Sequence, residues 1–386
     1  MKRNARFLWI IFFLIIFING FESGGYQASL LDIGKNYDLN NTSKGLTAAV
    51  ELFADMLAPI LLGAWADRND KVKCLRIALI IQIVVTLGIC LPISRNVFVI
   101  GMFLIGLTTS TLQFITIAAF ADIYPMSSKK RIGYMTSMYA FGAFVAPLIV
   151  TFYLKCGLSW KTLFIIIAVA SALSFAYMQG ITDKVQEKIE NITKERDKKG
   201  FILSGVLLLC LVMAIYVGFE NGFAFFIDSM FSEELASTLG KFAISIFWIV
   251  MIPSRMLVGS FEKYSRKILL VSVIAIPAIT VLISTLNSAK LILMLCVPLG
   301  FFSGAIYPCS LNLAMPLSGK SKALATGMIT TATGLGGFIF TAITGILGNY
   351  IGLRTAIMLL ATPFVFSLLA VLILIFNKSY KYINQS

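Results

Sequence analysis

Apolar runs of about 20 residues, the length that crosses the hydrocarbon layer of a bilayer, recur along this chain, and twelve of them fit. That recurrence constrains the fold more than any other feature. A soluble domain of 386 residues would need far more water-facing charge than a chain that is 58% hydrophobic and 13% charged. A transmembrane β-barrel is excluded because its strands alternate apolar and polar residues, whereas these runs are continuously apolar. The first run is longer than a signal-peptide core and lacks a small-residue cleavage site, so it is read as helix 1. The expected class is an all-α membrane protein with 12 transmembrane helices.

The expected spans are about 7–31, 47–65, 77–93, 97–123, 133–154 and 160–178, then 201–227, 239–258, 268–285, 291–313, 323–347 and 353–376. Between the sixth and seventh, residues 181–200 (with the run DKVQEKIENITKERDKK) break the apolar pattern. The organisation expected is therefore an N-terminal six-helix bundle at 1–180, a linker at 181–200 and a C-terminal six-helix bundle at 201–386.

The net charge of +14 follows topology rather than a nucleic-acid partner. Of the 32 Lys and Arg residues, 23 fall on the side of the N-terminus, 8 on the opposite side, and Arg255 within a helix. That bias puts both termini in the cytoplasm and the linker on the same surface, where it suits an amphipathic helix. There is no histidine, so a proton relay would run through carboxylates. The six cysteines show neither disulfide nor zinc spacing, and no metal or cofactor is expected. Nor is an enzyme, since no nucleotide-binding loop or soluble domain is present.

Two stretches nearly repeat each other 198 positions apart: Gly20-Phe21-Glu22-Ser23-Gly24 and Gly218-Phe219-Glu220-Asn221-Gly222. Each sets a glutamate inside a span, where a charge is costly by several kcal/mol. A duplicated bundle leaves such a pair behind, and in a transporter of two parallel repeats the pair would face across the central cavity. Glu51 and Asp55, one turn apart in helix 2, share a face. These four acids fall in the middle or outer half of their helices. Tyr26, Gln27, Gln113, Asn221 and Tyr307 are candidate polar contacts beside them, or bridges between helices. Arg255 lies toward the inner end of helix 8, which puts it out of direct reach of the acids.

The connection between helices 2 and 3 reads Gly63-Ala-Trp-Ala-Asp67-Arg68-Asn-Asp70-Lys71-Val-Lys73. It resembles the Gly-x-x-x-Asp-Arg-x-Gly-Arg-Lys loop of the major facilitator superfamily, with Asp70 at a glycine position and Lys71 at an arginine position. The first change is expected to loosen the turn. A second, degenerate copy starts at Gly259, with Lys263 in place of the acid. The resemblance implies two pseudo-symmetric six-helix bundles and an inner gate in which Asp122 pairs with Arg68 or Lys71, with Gly63, Asp67 and Arg255 in the same gate. Helix 5 carries Gly142 and Ala146-Pro147, a partial match to a Gly-Pro motif of the antiporter branch, and helix 11 carries Gly334, Gly336 and Gly337; both suit close helix contacts.

Three stretches, Ala121-Asp122-Ile-Tyr124-Pro125, Tyr139-Ala-Phe-Gly142 and Tyr216-Val-Gly218-Phe-Glu220, resemble the fucose permease and sugar-transporter branch. The implied activity is alternating-access transport of a small polar solute, such as a sugar, with Glu22 and Glu220 as the proton-coupling or substrate-binding pair. The expected setting is a bacterial cell membrane, with the solute, protons and lipid as partners and a monomer as the unit. The same acidic residues fit a proton-driven exporter of cationic amphiphiles. A membrane receptor or scaffold that retains the fold without transporting is the third reading.

Overall fold

The computed structural model describes residues 8–123, 128–179, 201–318 and 322–376. The linker at 181–200, Tyr124, Pro125 and the tail after residue 376 lie outside them. Among the described residues twelve helices are long and apolar enough to cross a membrane. Inside lipid a backbone finds no water to bond, so each apolar run closes its own hydrogen bonds as a helix.

By packing, the chain divides into two units. The first comprises residues 1–33 and 50–195, the second 34–49 and 196–386. In chain order the helices of the first half are α1 (Leu8–Asn36), α2 (Asn41–Arg68), α3 (Lys71–Cys90), α4 (Arg95–Ile123), α5 (Ser128–Lys155) and α6 (Lys161–Met178). The second half holds α7 (Leu203–Glu234), α8 (Gly240–Ser260), α9 (Ser265–Thr285), α10 (Ala289–Leu317), α11 (Lys322–Ile351), α12 (Leu353–Leu359) and α13 (Phe364–Phe376).

The first unit buries Phe12, Ile15, Leu75, Leu79, Leu112, Ile115 and Phe120 in one cluster. Its backbones meet where glycine removes the side chain. A Cβ on Gly142 would lie 2.2 Å from the Phe17 carbonyl oxygen, and one on Gly20 would lie 1.9 Å from that of Tyr139, so α1 and α5 touch main chain to main chain. The second unit repeats the device: a Cβ on Gly336 of α11 would lie 1.9 Å from the Ala214 carbonyl of α7. Its core is aromatic, with Phe219 against Phe364 at 5.6 Å and Phe223 against Phe247 at 5.2 Å between ring centroids.

Expectations about the elements change at several places, among them the end of α7, at Glu234 rather than 227. α1 and α2 run longer than their apolar stretches, to Asn36 and from Asn41. Polar partners near the loop make the extra turns possible: the Asn40 side chain accepts from Ser43 N, and buried Lys44 pairs with Glu233 at 2.8 Å. The segment 34–49 thus belongs by packing to the second unit. The last span is broken, not continuous. At 360–363 the hydrogen bonds shorten to three-residue steps, because Pro363 has no N–H and disfavours helix in the residue before it. Finally, Asp70 does not loosen its turn. It is the N-cap of α3, accepting from Val72 N at 2.8 Å, which satisfies a donor that a glycine there would leave to water.

Candidate functional site

The first unit gathers three carboxyls. Glu22 sits fourteen residues before the end of α1 at Asn36, and Asp55 fourteen after the start of α2 at Asn41. At 1.5 Å per residue both lie about 21 Å from the loop that joins the helices, at the same depth. Glu51, one turn nearer the loop, comes within hydrogen-bond reach of Glu22. Glu22 and Glu51 are buried, and Asp55 is half-buried. Tyr26, one turn beyond Glu22, lies within electrostatic reach of both glutamates.

Helix α4 fixes this face of α2. Pro59 in α2 lacks the N–H that would bond the Asp55 carbonyl, and Ser110 Oγ of α4 donates to that oxygen at 2.8 Å. Thr109 Oγ1 lies 3.2 Å from Asp55 Oδ1, and the Thr109 carbonyl accepts from Asn19 Nδ2 at 2.8 Å. Gly106 allows the approach, since a Cβ there would be 2.3 Å from the Glu51 carbonyl oxygen. Glu51 feels the charges of Glu22 and Asp55, and Asp55 that of Glu22, with no base acting on the three among the described residues. Two ionised carboxylates only accept hydrogen bonds, so the bond between Glu22 and Glu51 exists only while one of them carries a proton. The Glu22–Glu51 pair can therefore share a proton.

The second unit holds a different set. Tyr216 OH donates to Glu220 on the next turn of α7. Arg255 of α8 hydrogen-bonds Tyr216 and acts electrostatically on Glu220 and on Tyr307 of α10. This corrects the expectation that Arg255 stands too far along its helix to meet an acid. Glu220 lies fourteen residues before the end of α7 at Glu234, and Arg255 fifteen after the start of the antiparallel α8 at Gly240. Measured from the loop they share, about 21–23 Å away, the two are level.

Asn221 donates to Val217 O of its own helix at 3.0 Å. Gln27 is buried and Gln113 half-buried in the first unit. Glu22 and Glu220 belong to different units, each with its own neighbours. At the expected inner gate Arg68 is exposed, and a Cβ on Gly63 would meet open space. The side chains of Asp67 and Asp122 fall outside the described residues, and so does their pairing. Sequence reasoning missed Asn19, Thr109 and Tyr216 as site residues. The run Thr108-Thr109-Ser110-Thr111 in an otherwise apolar helix is the signal that could have found one of them.

Two helical units with carboxyls at mid-span define a polytopic membrane protein of the secondary-transporter class. The chain belongs to the Major Facilitator Superfamily, whose family model matches residues 12–315 and 209–385. It is similar to the protein TsgA homolog of Buchnera aphidicola, 24% identical over 345 residues and 86% of each chain. It is also similar to the glucose/mannose transporter GlcP of Bacillus subtilis, 21% identical over 89% of this chain and 88% of that one. Among solved structures, a D-xylose-proton symporter aligns with TM-score 0.77 at 13% identity, over 96% of this chain and 97% of that one. The chain is thus a multi-pass transporter and not an enzyme.

Proposed function

We propose that this protein moves a small polar organic solute across a bacterial cell membrane by alternating access, coupled to protons, with both termini in the cytoplasm. The observation that carries the reading is the mid-span Glu22–Glu51 pair, within hydrogen-bond reach of each other, with Asp55 beside it and no neutralising base among the described residues. Such a group is functional by default in a membrane protein, because ionisable side chains at that depth are costly and persist for proton or substrate pathways. Glu220 is its counterpart in the second half. The likeness to a glucose/mannose transporter and to a xylose-proton symporter supports a polar solute. On the opposite surface from the carboxyl loops, Asp122 with Arg68 or Lys71 forms the inner latch in this reading.

The second reading, export of cationic amphiphiles, is favoured by the three acids having no base beside them among the described residues. A quinolone resistance protein of Staphylococcus aureus is 24% identical over 63% of this chain. Arg255 in the other unit weighs against it, since it would repel a cation.

The test is accumulation in proteoliposomes under an imposed proton gradient, with radiolabelled neutral sugars, sugar acids and a quaternary ammonium dye. Wild type should concentrate one of the polar solutes only while the gradient lasts, and Glu22→Gln/Glu220→Gln should only equilibrate it. Gradient-driven accumulation that survives in the double variant would remove these carboxyls from the coupling.

A further inference from the structure

The two halves place their mid-span groups on matching scaffolds but with different charges. In the first unit a Cβ on Gly106 of α4 would meet the backbone of Glu51 of α2. In the second, a Cβ on Gly304 of α10 would meet the backbone of Met251 of α8, 2.8 Å from its Cα. Gly106 and Gly304 are 198 positions apart, like Glu22 and Glu220. Met251 therefore stands where Glu51 does, and one turn further on Arg255 stands where Asp55 does. The duplication retained the glutamate of the first helix and put a base where the other half has an acid.

Arg255, Glu220 and Tyr307 are each largely buried but not fully enclosed. Its guanidinium carries five donors. Tyr216 engages one, Nε has no hydrogen-bond partner, and the contact of Nη2 is the Met251 sulfur at 3.8 Å, a weak acceptor. Among the described residues no ion pair joins Glu220 to Arg255, and Tyr216 OH donates to one Glu220 oxygen. A cation at mid-span with unfilled donors is costly unless an acceptor arrives. The planar fork fits a carboxylate in two parallel hydrogen bonds.

We propose that Arg255, with Tyr216 and Tyr307, is the subsite for a carboxylate of the transported solute, which is then a small monocarboxylic acid of the hydroxy-acid or sugar-acid kind rather than a neutral sugar. Glu220 selects a monoanion. A phosphate ester would bring a second negative charge against it, and a carboxylate does not. The hydroxyls of such an acid find Glu220 and Tyr307 on the flanking helices. The proposal rests on the transport reading above and names its substrate class.

The test uses the full-length protein in detergent and in proteoliposomes. The probes are D-gluconate, D-glucuronate and L-lactate, with D-glucose and D-glucose 6-phosphate as counterparts. At least one acid should raise the melting midpoint of the wild type and exchange in counterflow, while glucose and its phosphate do neither. Arg255→Gln should weaken that acid at least tenfold. Arg255→Lys, which keeps the charge but loses the fork, should fall between them, and Tyr307→Phe should lose a few-fold. The lysine and phenylalanine variants carry the test if the glutamine variant does not fold. Glucose binding and exchanging equally in wild type and Arg255→Lys overturns the subsite and leaves the transport reading standing. Preference for the phosphate ester overturns it in favour of another anion. If no probe exchanges, the subsite is overturned and the transport reading is left to the gradient-driven accumulation test.

Discussion

The sharpest consequence of the packing concerns Gly142 of α5 and Gly336 of α11. In Gly142→Ala the new methyl would sit 2.2 Å from the Phe17 carbonyl oxygen, and in Gly336→Ala 1.9 Å from that of Ala214. An ordinary Cβ–oxygen contact is about 3.2 Å or longer, so α1 and α5 must part by about 1 Å and α7 and α11 by about 1.3 Å. Both partners are main chain, so no side-chain rotation relieves the clash. Overpacking of this kind costs about 1–3 kcal/mol, with backbone shifts at the upper end. Replacing a helical glycine with alanine returns about 1 kcal/mol, leaving about 2 kcal/mol of destabilisation. Gly88→Ala in α3 is the control, because its Cβ meets open space and only the helix gain of about 0.5–1 kcal/mol remains. With about 2–4 °C per kcal/mol for a unit of this size, the two buried variants should melt about 4–8 °C below wild type, and Gly88→Ala slightly above it. The assay is thermal unfolding of purified protein in one detergent. If Gly142→Ala and Gly336→Ala are as stable as wild type, the main-chain contact does not exist as described.

The capping contacts give two further outcomes. Asp70→Ala should cost about 1 kcal/mol by removing the N-cap of α3, whereas Asp70→Gly should cost only a few tenths; chemical denaturation of the pair checks the order. Glu234 accepts from the N–H groups of Leu353 and Arg354 at 2.6 and 3.1 Å, so Glu234→Ala should speed hydrogen exchange at 353–359 by about fivefold, the equivalent of about 1 kcal/mol. In the carboxyl cluster, Glu51→Gln can still donate to Glu22 and should leave the melting point near wild type. Glu51→Ala should lose about 1–3 kcal/mol, because it leaves Glu22 buried without that bond; unfolding of the two variants side by side measures the difference.

The fold was legible because lipid allows few solutions. Runs of spanning length with no water to bond must be helices, and the near-repeat around Glu22 and Glu220 points to duplication before any coordinates. The sites were legible only in part. Glu22, Glu51 and Asp55 are visible as acids in apolar helices, but their grouping depends on Ser110, Thr109 and Gly106 of α4, more than fifty residues along the chain. Arg255 was misjudged because helix 7 was expected to end at 227, which set Glu220 close to the outer loop, whereas α7 runs on to Glu234. Levelling it with Glu220 needs the true end of α7 at Glu234, which lies in a polar stretch that hydropathy does not resolve. The role of Asp70 was hidden by comparison with a glycine, although aspartate at that place is a good N-cap.

The central claim is that Glu22 and Glu51 share a proton inside the first unit. Infrared difference spectroscopy, titrating the reconstituted protein with pH, sees a carboxylic-acid C=O band directly and needs no knowledge of the solute. The account predicts a band in wild type that disappears as the shared proton leaves, and its loss in Glu22→Gln/Glu51→Gln with the helical amide signal unchanged. Identical titration spectra in wild type and the double variant would contradict it.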